Sequence, residues 1–219
     1  SFFTLSKSSF SNFPNSFVSI NSRSLSAQIT KCSFNKFLSS AIFFKSVDHY
    51  LLNNEKYYYF HEYFSIGYLK IDECSFNNCR SRGHSGGAIF SICPTLIINS
   101  YFYYCLADLG GAICVFSDLN LFGIRFSRCS SINGGCCAGK FGNVSINSSS
   151  VLFCTSSVSG GAINYDESKK LTTDNLNCSY CTSDSHSSSI YFIGRSLSMS
   201  NSIFSFCKSL NGAGGICIY

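Results

Sequence analysis

Residues able to do chemistry are spread thinly along this 219-residue chain. Gly83-His84-Ser85-Gly86-Gly87 has the Gly-x-Ser-x-Gly spacing of an elbow that exposes a nucleophilic serine between a strand and a helix. The next residues, Ala88-Ile89-Phe90-Ser91, read as strand rather than helix, so the segment is expected to be a turn. Cys178-Ser179-Tyr180-Cys181 has the spacing of half a zinc site, and a closed tetrahedral site needs a second pair within reach. Cys136 and Cys137 are adjacent, so a regular strand sends one of them outward. The acids number eleven, with Asp72-Glu73 and Asp166-Glu167 the adjacent pairs. Acid–base cleavage of a polysaccharide needs carboxylates gathered on one face. Asp166 and Asp174 could meet across neighbouring turns, but Lys169-Lys170 between them suggests a salt-bridged loop. The four histidines, His49, His61, His84 and His186, share no common phase. No cofactor, metal or catalytic residue is expected from these patterns.

The elements that must position such residues repeat. Gly86-Gly87-Ala88-Ile89 returns as Gly110-Gly111-Ala112-Ile113 and Gly160-Gly161-Ala162-Ile163, with Gly134-Gly135-Cys136-Cys137 and Gly214-Gly215-Ile216-Cys217 as variants. An aromatic-x-x-Cys element precedes each: Phe76/Cys79, Phe102/Cys105, Phe126/Cys129 and Phe204/Cys207, with Val151/Cys154 and Cys178/Cys181 degenerate. The cysteine steps are 26, 24, 25, 27 and 26 residues. Phe34/Phe37 and Phe10/Phe13 fill the same slots upstream, and Ser39-Ser40-Ala41-Ile42 stands for the glycine element. A fixed period of this size means one unit stacked on itself.

The expected fold is all-β: a right-handed parallel β-helix of about eight coils, each about 25 residues long, forming a single domain over residues 1–219. Each coil reads as a short alternating strand, the Phe-x-x-Cys strand and the Gly-Gly-Ala-Ile strand, joined by Ser/Asn/Gly turns. Inward positions would form ladders of like residues about 4.8 Å apart. The glycine doublet would supply φ > 0 or room for a close backbone approach. The step from Phe37 to Cys79 is 42 residues, which places an aromatic-rich insertion at about residues 46–66. Tyr57, Tyr58, Tyr59, His61 and Tyr63 in it are the candidate binding residues, because loops on rigid scaffolds tend to carry function.

Fourteen cysteines suit either disulfides or packed thiols. In-register parallel strands aim Cβ vectors side by side, a poor geometry for bridging. The cysteine column is therefore read as buried reduced thiols, and Cys32, Cys74, Cys93, Cys114 and Cys217 as the disulfide candidates. Charged residues make up 12% and the net charge is +5, with no basic run longer than Lys169-Lys170, which argues against nucleic acid. No apolar window reaches about 18 residues, so no membrane span is expected. Thr is too sparse for an ice-binding ladder. Asn143-Val144-Ser145, Asn147-Ser148-Ser149 and Asn177-Cys178-Ser179 are glycosylation sequons. The chain opens without Met or signal peptide and reads as a segment of a larger or processed protein.

The Gly-Gly-Ala-Ile element phased with Phe-x-x-Cys resembles the polymorphic membrane protein (Pmp) repeat, whose signature is GGAI paired with FxxN. The resemblance covers Phe76 to Tyr219 and, more weakly, the first 45 residues; Cys stands where that family favours Asn. It implies a β-helical adhesin-like protein, displayed extracellularly or on a cell surface. The expected function is accordingly a non-catalytic adhesin-like or structural β-helix that binds a host-cell or extracellular glycan or protein. End-to-end stacking of coils is a further expected contact. The alternative is a carbohydrate-active β-helix enzyme, a lyase or glycoside hydrolase.

Overall fold

The computed structural model describes residues 2–21, 25–45 and 67–219, and these form 26 strands with no helix. The expected insertion at 46–66 lies outside the described residues. The strands pair in parallel and stack as the rungs of a β-solenoid. One column runs Phe10, Phe34, Phe76, Phe102, Phe126, Val151, Cys178, Phe204: eight rungs, hence seven turns from first to last. Rung two meets rung three in register on both sides of the long step, through Ala27 beside Leu69 and Ile42 beside Ile89.

The core consists of such columns. Phe34, Phe76 and Phe102 are fully buried, and their rings stack at 4.9 Å and 4.8 Å, nearly parallel. Phe126 continues the stack at 5.1 Å. Each such ring contributes about 1.5–3 kcal/mol by burial, and offset stacking adds about 0.5–1.5 kcal/mol. Val18, Ile42, Ile89, Ile113, Cys137, Ile163, Ile190 and Ile216 form a parallel aliphatic column.

Two corners in every rung use left-handed backbone. The first holds Lys7, Lys31, Glu73, Asn99, Gly123, Ser148, Asn175 and Asn201; the second holds Asn12, Lys36, Asn78, Tyr104, Arg128, Phe153, Tyr180 and Phe206. The left-handed residue lets the chain turn sharply while its N–H still reaches the next rung. Asn78 N–H donates to Tyr103, Tyr104 N–H to Ser127, and Arg128 N–H to Leu152. The ladder of backbone hydrogen bonds thus continues around the bend. Just past the first corner, Ser100 and Ser149 hydroxyls donate to the carbonyl two residues back and accept a backbone N–H from the rung before.

The glycine doublet divides its two expected roles. Its first member has positive φ, at 61° for Gly110. Its second has no room for a side chain: a Cβ on Gly111 would lie 2.2 Å from the Gly135 carbonyl oxygen.

Three expectations need correction. Rungs three to eight contain a fourth strand where a turn was expected, as in rung four: Thr95–Ile98, Tyr101–Tyr103, Leu106–Leu109, Ile113–Val115. These extra strands make a separate six-stranded sheet from Arg80–Ser85 to Lys208–Ser209. Its buried positions include Ser81, Ala107, Ser156 and Ser183, so no hydrophobic alternation announces it. Among the described residues, the first two rungs lack it. The last glycine element is also shifted by one residue. Ile216 pairs with Ile190 and Ala213 with Ser187, so Ala213-Gly214-Gly215-Ile216 is the repeat unit. Finally, Cys136 and Cys137 are both fully buried. Cys136 lies in the corner ahead of the Cys137–Lys140 strand, where strict alternation has not begun.

Phe102→Ala is expected to lower the unfolding free energy by about 3–5 kcal/mol in a urea titration. Gly111→Ala should cost about 1–3 kcal/mol through strain, because a neighbouring backbone must yield. An unchanged midpoint for either variant would contradict the stacked columns.

Candidate functional site

The expected chemical motifs separate once folded. Ser85 ends the strand Arg80–Ser85, and Gly86-Gly87 leads into the strand Ile89–Ser91, so the elbow is a repeat corner. Asp166 and Asp174 belong to different contacts. Lys140 Nζ lies 2.7 Å from Asp166 and 3.2 Å from Glu167. Desolvation alone would lower the Lys140 pKa, but these two carboxylates override it and hold it above the usual value. Asp174 accepts from Ser200 Oγ and Asn201 Nδ2, and bonds from Asn201 first and Ser200 second keep its carboxyl below the ordinary range. Tyr57, Tyr58, Tyr59, His61 and Tyr63 lie outside the described residues.

A groove of about 390 Å³ runs along the flank where the six-stranded sheet meets the strands after the glycine corners. Asp108, Asn133, Lys140, Asp166 and Tyr191 line it, with Phe116 and Ile132 supplying apolar walls. It gathers two carboxylates, and Lys140 occupies one of them.

The second corner produces a different surface. In five successive rungs its left-handed position carries Tyr104, Arg128, Phe153, Tyr180 and Phe206. The Arg128 guanidinium lies over the Tyr104 ring at 5.5 Å and the Phe153 ring at 5.8 Å, and donates to the Tyr104 hydroxyl at 2.6 Å. Phe153 stacks on Tyr180 at 5.0 Å, and Tyr180 on Phe206 at 4.9 Å. All five side chains are exposed, Phe206 at 76%. Sequence reasoning missed this stripe, although its signal was available: these are the residues immediately before the repeat cysteines from Cys105 to Cys207.

No family model matches the chain, and no curated protein or solved structure does so either.

The thiols form the third feature. All fourteen cysteines are free: twelve are buried, and Cys207 and Cys217 are half-buried. Cys32 and Cys74, expected as disulfide candidates, continue the first-corner serine column instead. The Cys74 thiol donates to the Asp72 carbonyl, much as Ser100 does to Ile98. In the main column, Cys105 Sγ lies 3.8 Å from the Phe76 carbonyl and 3.7 Å from that of Tyr103. Cys129 and Cys207 repeat this contact. Burial raises the thiols of Cys105, Cys129 and Cys154 well above the ordinary range, and pushes Cys114 up to about 12. They are inert packing groups.

One place departs from that pattern. Cys178 occupies the phenylalanine column, between Val151 and Phe204. Its Sγ is 3.5 Å from Cys181 Sγ, and Cys207 joins them from the next rung, all three sulfurs lying within 4.8 Å of one another. Bonds from Cys178 and then Cys181 hold the Cys207 thiol far below the ordinary range. The bonds to Cys181 and Cys207, together with burial, hold Cys178 far above it. Cys181 is raised as well: its bond to Cys207 and its burial outweigh the lowering effect of Cys178.

Without reductant, the denatured protein should titrate fourteen thiols, whereas the native protein should expose no more than Cys207 and Cys217 to a disulfide reagent. Cys207 should still react at about pH 5, where a free thiol with pKa about 8.5 is almost fully protonated. Loss of that low-pH reaction only in Cys207→Ser would assign it.

Proposed function

We propose that this chain is part of a non-catalytic, cell-surface or secreted adhesin-like β-solenoid that binds an extracellular glycan or protein through its flank. The observation that carries this reading is the exposed stripe of Tyr104, Arg128, Phe153, Tyr180 and Phe206. Left-handed backbone disfavours bulky residues, and Asn or Gly would be the easier choice there. Asn12 and Asn78 take that choice in other rungs. Each bulky corner residue costs on the order of 1 kcal/mol or more. Ring stacking and cation–π contacts offset part of this, but large apolar groups remain in water. A retained cost on a solvent face supports a role in contact rather than in stability. Arg and Tyr are also residue types enriched at binding hot spots.

The Pmp-like phasing of Gly-Gly-Ala-Ile with Phe-x-x-Cys supports display outside the cell, as do the exposed sequon asparagines Asn143 and Asn177. The competing reading, a carbohydrate-active enzyme, draws on the flank groove with Asp108 and Asp166.

Replacing Tyr104, Arg128, Phe153, Tyr180 and Phe206 together by Asn tests the proposal. The variant should retain or gain thermal stability and lose binding to cells and glycan arrays by at least about tenfold, equivalent to one hot-spot contact of about 1.4 kcal/mol. Undiminished binding would remove the stripe from the function. Turnover of acidic polysaccharide, abolished by Asp166→Asn, would favour the enzyme reading instead.

A further inference from the structure

We propose that Cys178, Cys181 and Cys207 form a trithiolate site for a soft d10 cation of the Zn(II) type. Three observations meet there. The three Sγ atoms lie within 4.8 Å of one another, and Cys178 and Cys181 are 3.5 Å apart. Thiolates bound to zinc at about 2.3 Å stand about 3.8 Å from each other in a tetrahedral arrangement. The sulfurs therefore need to shift by only a fraction of an ångström to enclose an ion.

The second observation is the unusual occupant of the phenylalanine column. In the other rungs that carry a column cysteine, the residue three positions earlier is Phe or Val: Phe76, Phe102, Phe126, Val151 and Phe204. Only rung seven sets a second thiol beside the first, and Cys178 is much smaller than the ring that otherwise fills this slot. A core position that holds a ring in most rungs here places a second sulfur beside the first.

The third is Ser189, fully buried, whose Oγ has no hydrogen-bond partner. It lies close to the Cys207 sulfur. The hydroxyl, or water entering past half-buried Cys207, is suited to the fourth coordination position. Thiolates and a d10 ion are a soft–soft match, whereas no carboxylate or imidazole belongs to the cluster.

Ligation by all three sulfurs displaces their S–H protons to solvent as the ion enters, and the bound unit of three thiolates and one divalent cation carries a net charge of −1.

Cd(II) is the probe, because its thiolate charge-transfer absorption in the ultraviolet reports sulfur ligation directly. The reduced protein, kept anaerobic, should bind one equivalent, release the protons held by the ligating thiols and gain thermal stability. Cys178→Phe restores the column's usual residue, and Cys207→Ser alters a half-buried position in the last rung. Each should weaken binding by more than the about 10–100-fold that loss of an outer-shell partner costs. Cys129→Ala, two rungs from Cys181 in the same column, should leave binding unchanged. Zn(II) should compete for the same single equivalent. Absence of a saturable one-equivalent band in the folded protein would overturn the site. So would equal affinity in a folded Cys178→Phe or Cys207→Ser variant, either of which suffices if the other does not fold.

Discussion

Parallel rungs can share backbone hydrogen bonds only if every turn returns the chain to the same register, about 4.8 Å further along the axis. That closure condition governs the molecule. It requires two tight corners per rung at which the N–H groups still point along the axis, and left-handed residues meet it at all sixteen positions. It also places like beside like, so Phe76 lies under Phe102 and Phe102 under Phe126. A residue that fits one rung then fits the next, which is why a period near 25 persists although most letters change. The glycine doublet answers the same condition where the turn is tightest, since Gly111 must admit the carbonyl of Gly135.

How each feature is encoded decided whether the sequence revealed or concealed it. Large inward side chains leave a periodic trace, so the phenylalanine and cysteine columns, and the long step between Phe37 and Cys79, could be read directly. The strand containing Ala107 could not, because its buried positions are small or polar and its residues are those of a turn. Register at the last repeat depended on a single letter: two glycines in Gly214-Gly215 suggested one alignment, while pairing of Ile216 with Ile190 imposes another. Cys136 and Cys137 misled because alternation holds within strands and fails at their entrances. The aromatic stripe was present as the residue before each column cysteine from Cys105 to Cys207, but its exposure depends on corner handedness, which composition does not encode.

The thiols show how one residue type serves two purposes within a single scaffold. Along most of the column a cysteine is a compact apolar filler whose sulfur rests against carbonyls, and desolvation keeps it protonated. At Cys178 the same residue enters a neighbouring column and meets two others. Proton sharing then separates their acidities, raising two and lowering the third. The difference arises from the column in which the sulfur is placed, since Cys178 stands in register between Val151 and Phe204.

The six-stranded sheet starts at Arg80–Ser85, and among the described residues the two rungs before it have no strand at that position. Its inward positions are small, with Ser81, Ala107, Ser156 and Ser183 all buried. Such groups leave that wall little slack, so an enlarged side chain at Ala107 would overpack it and push the wall outward along several rungs.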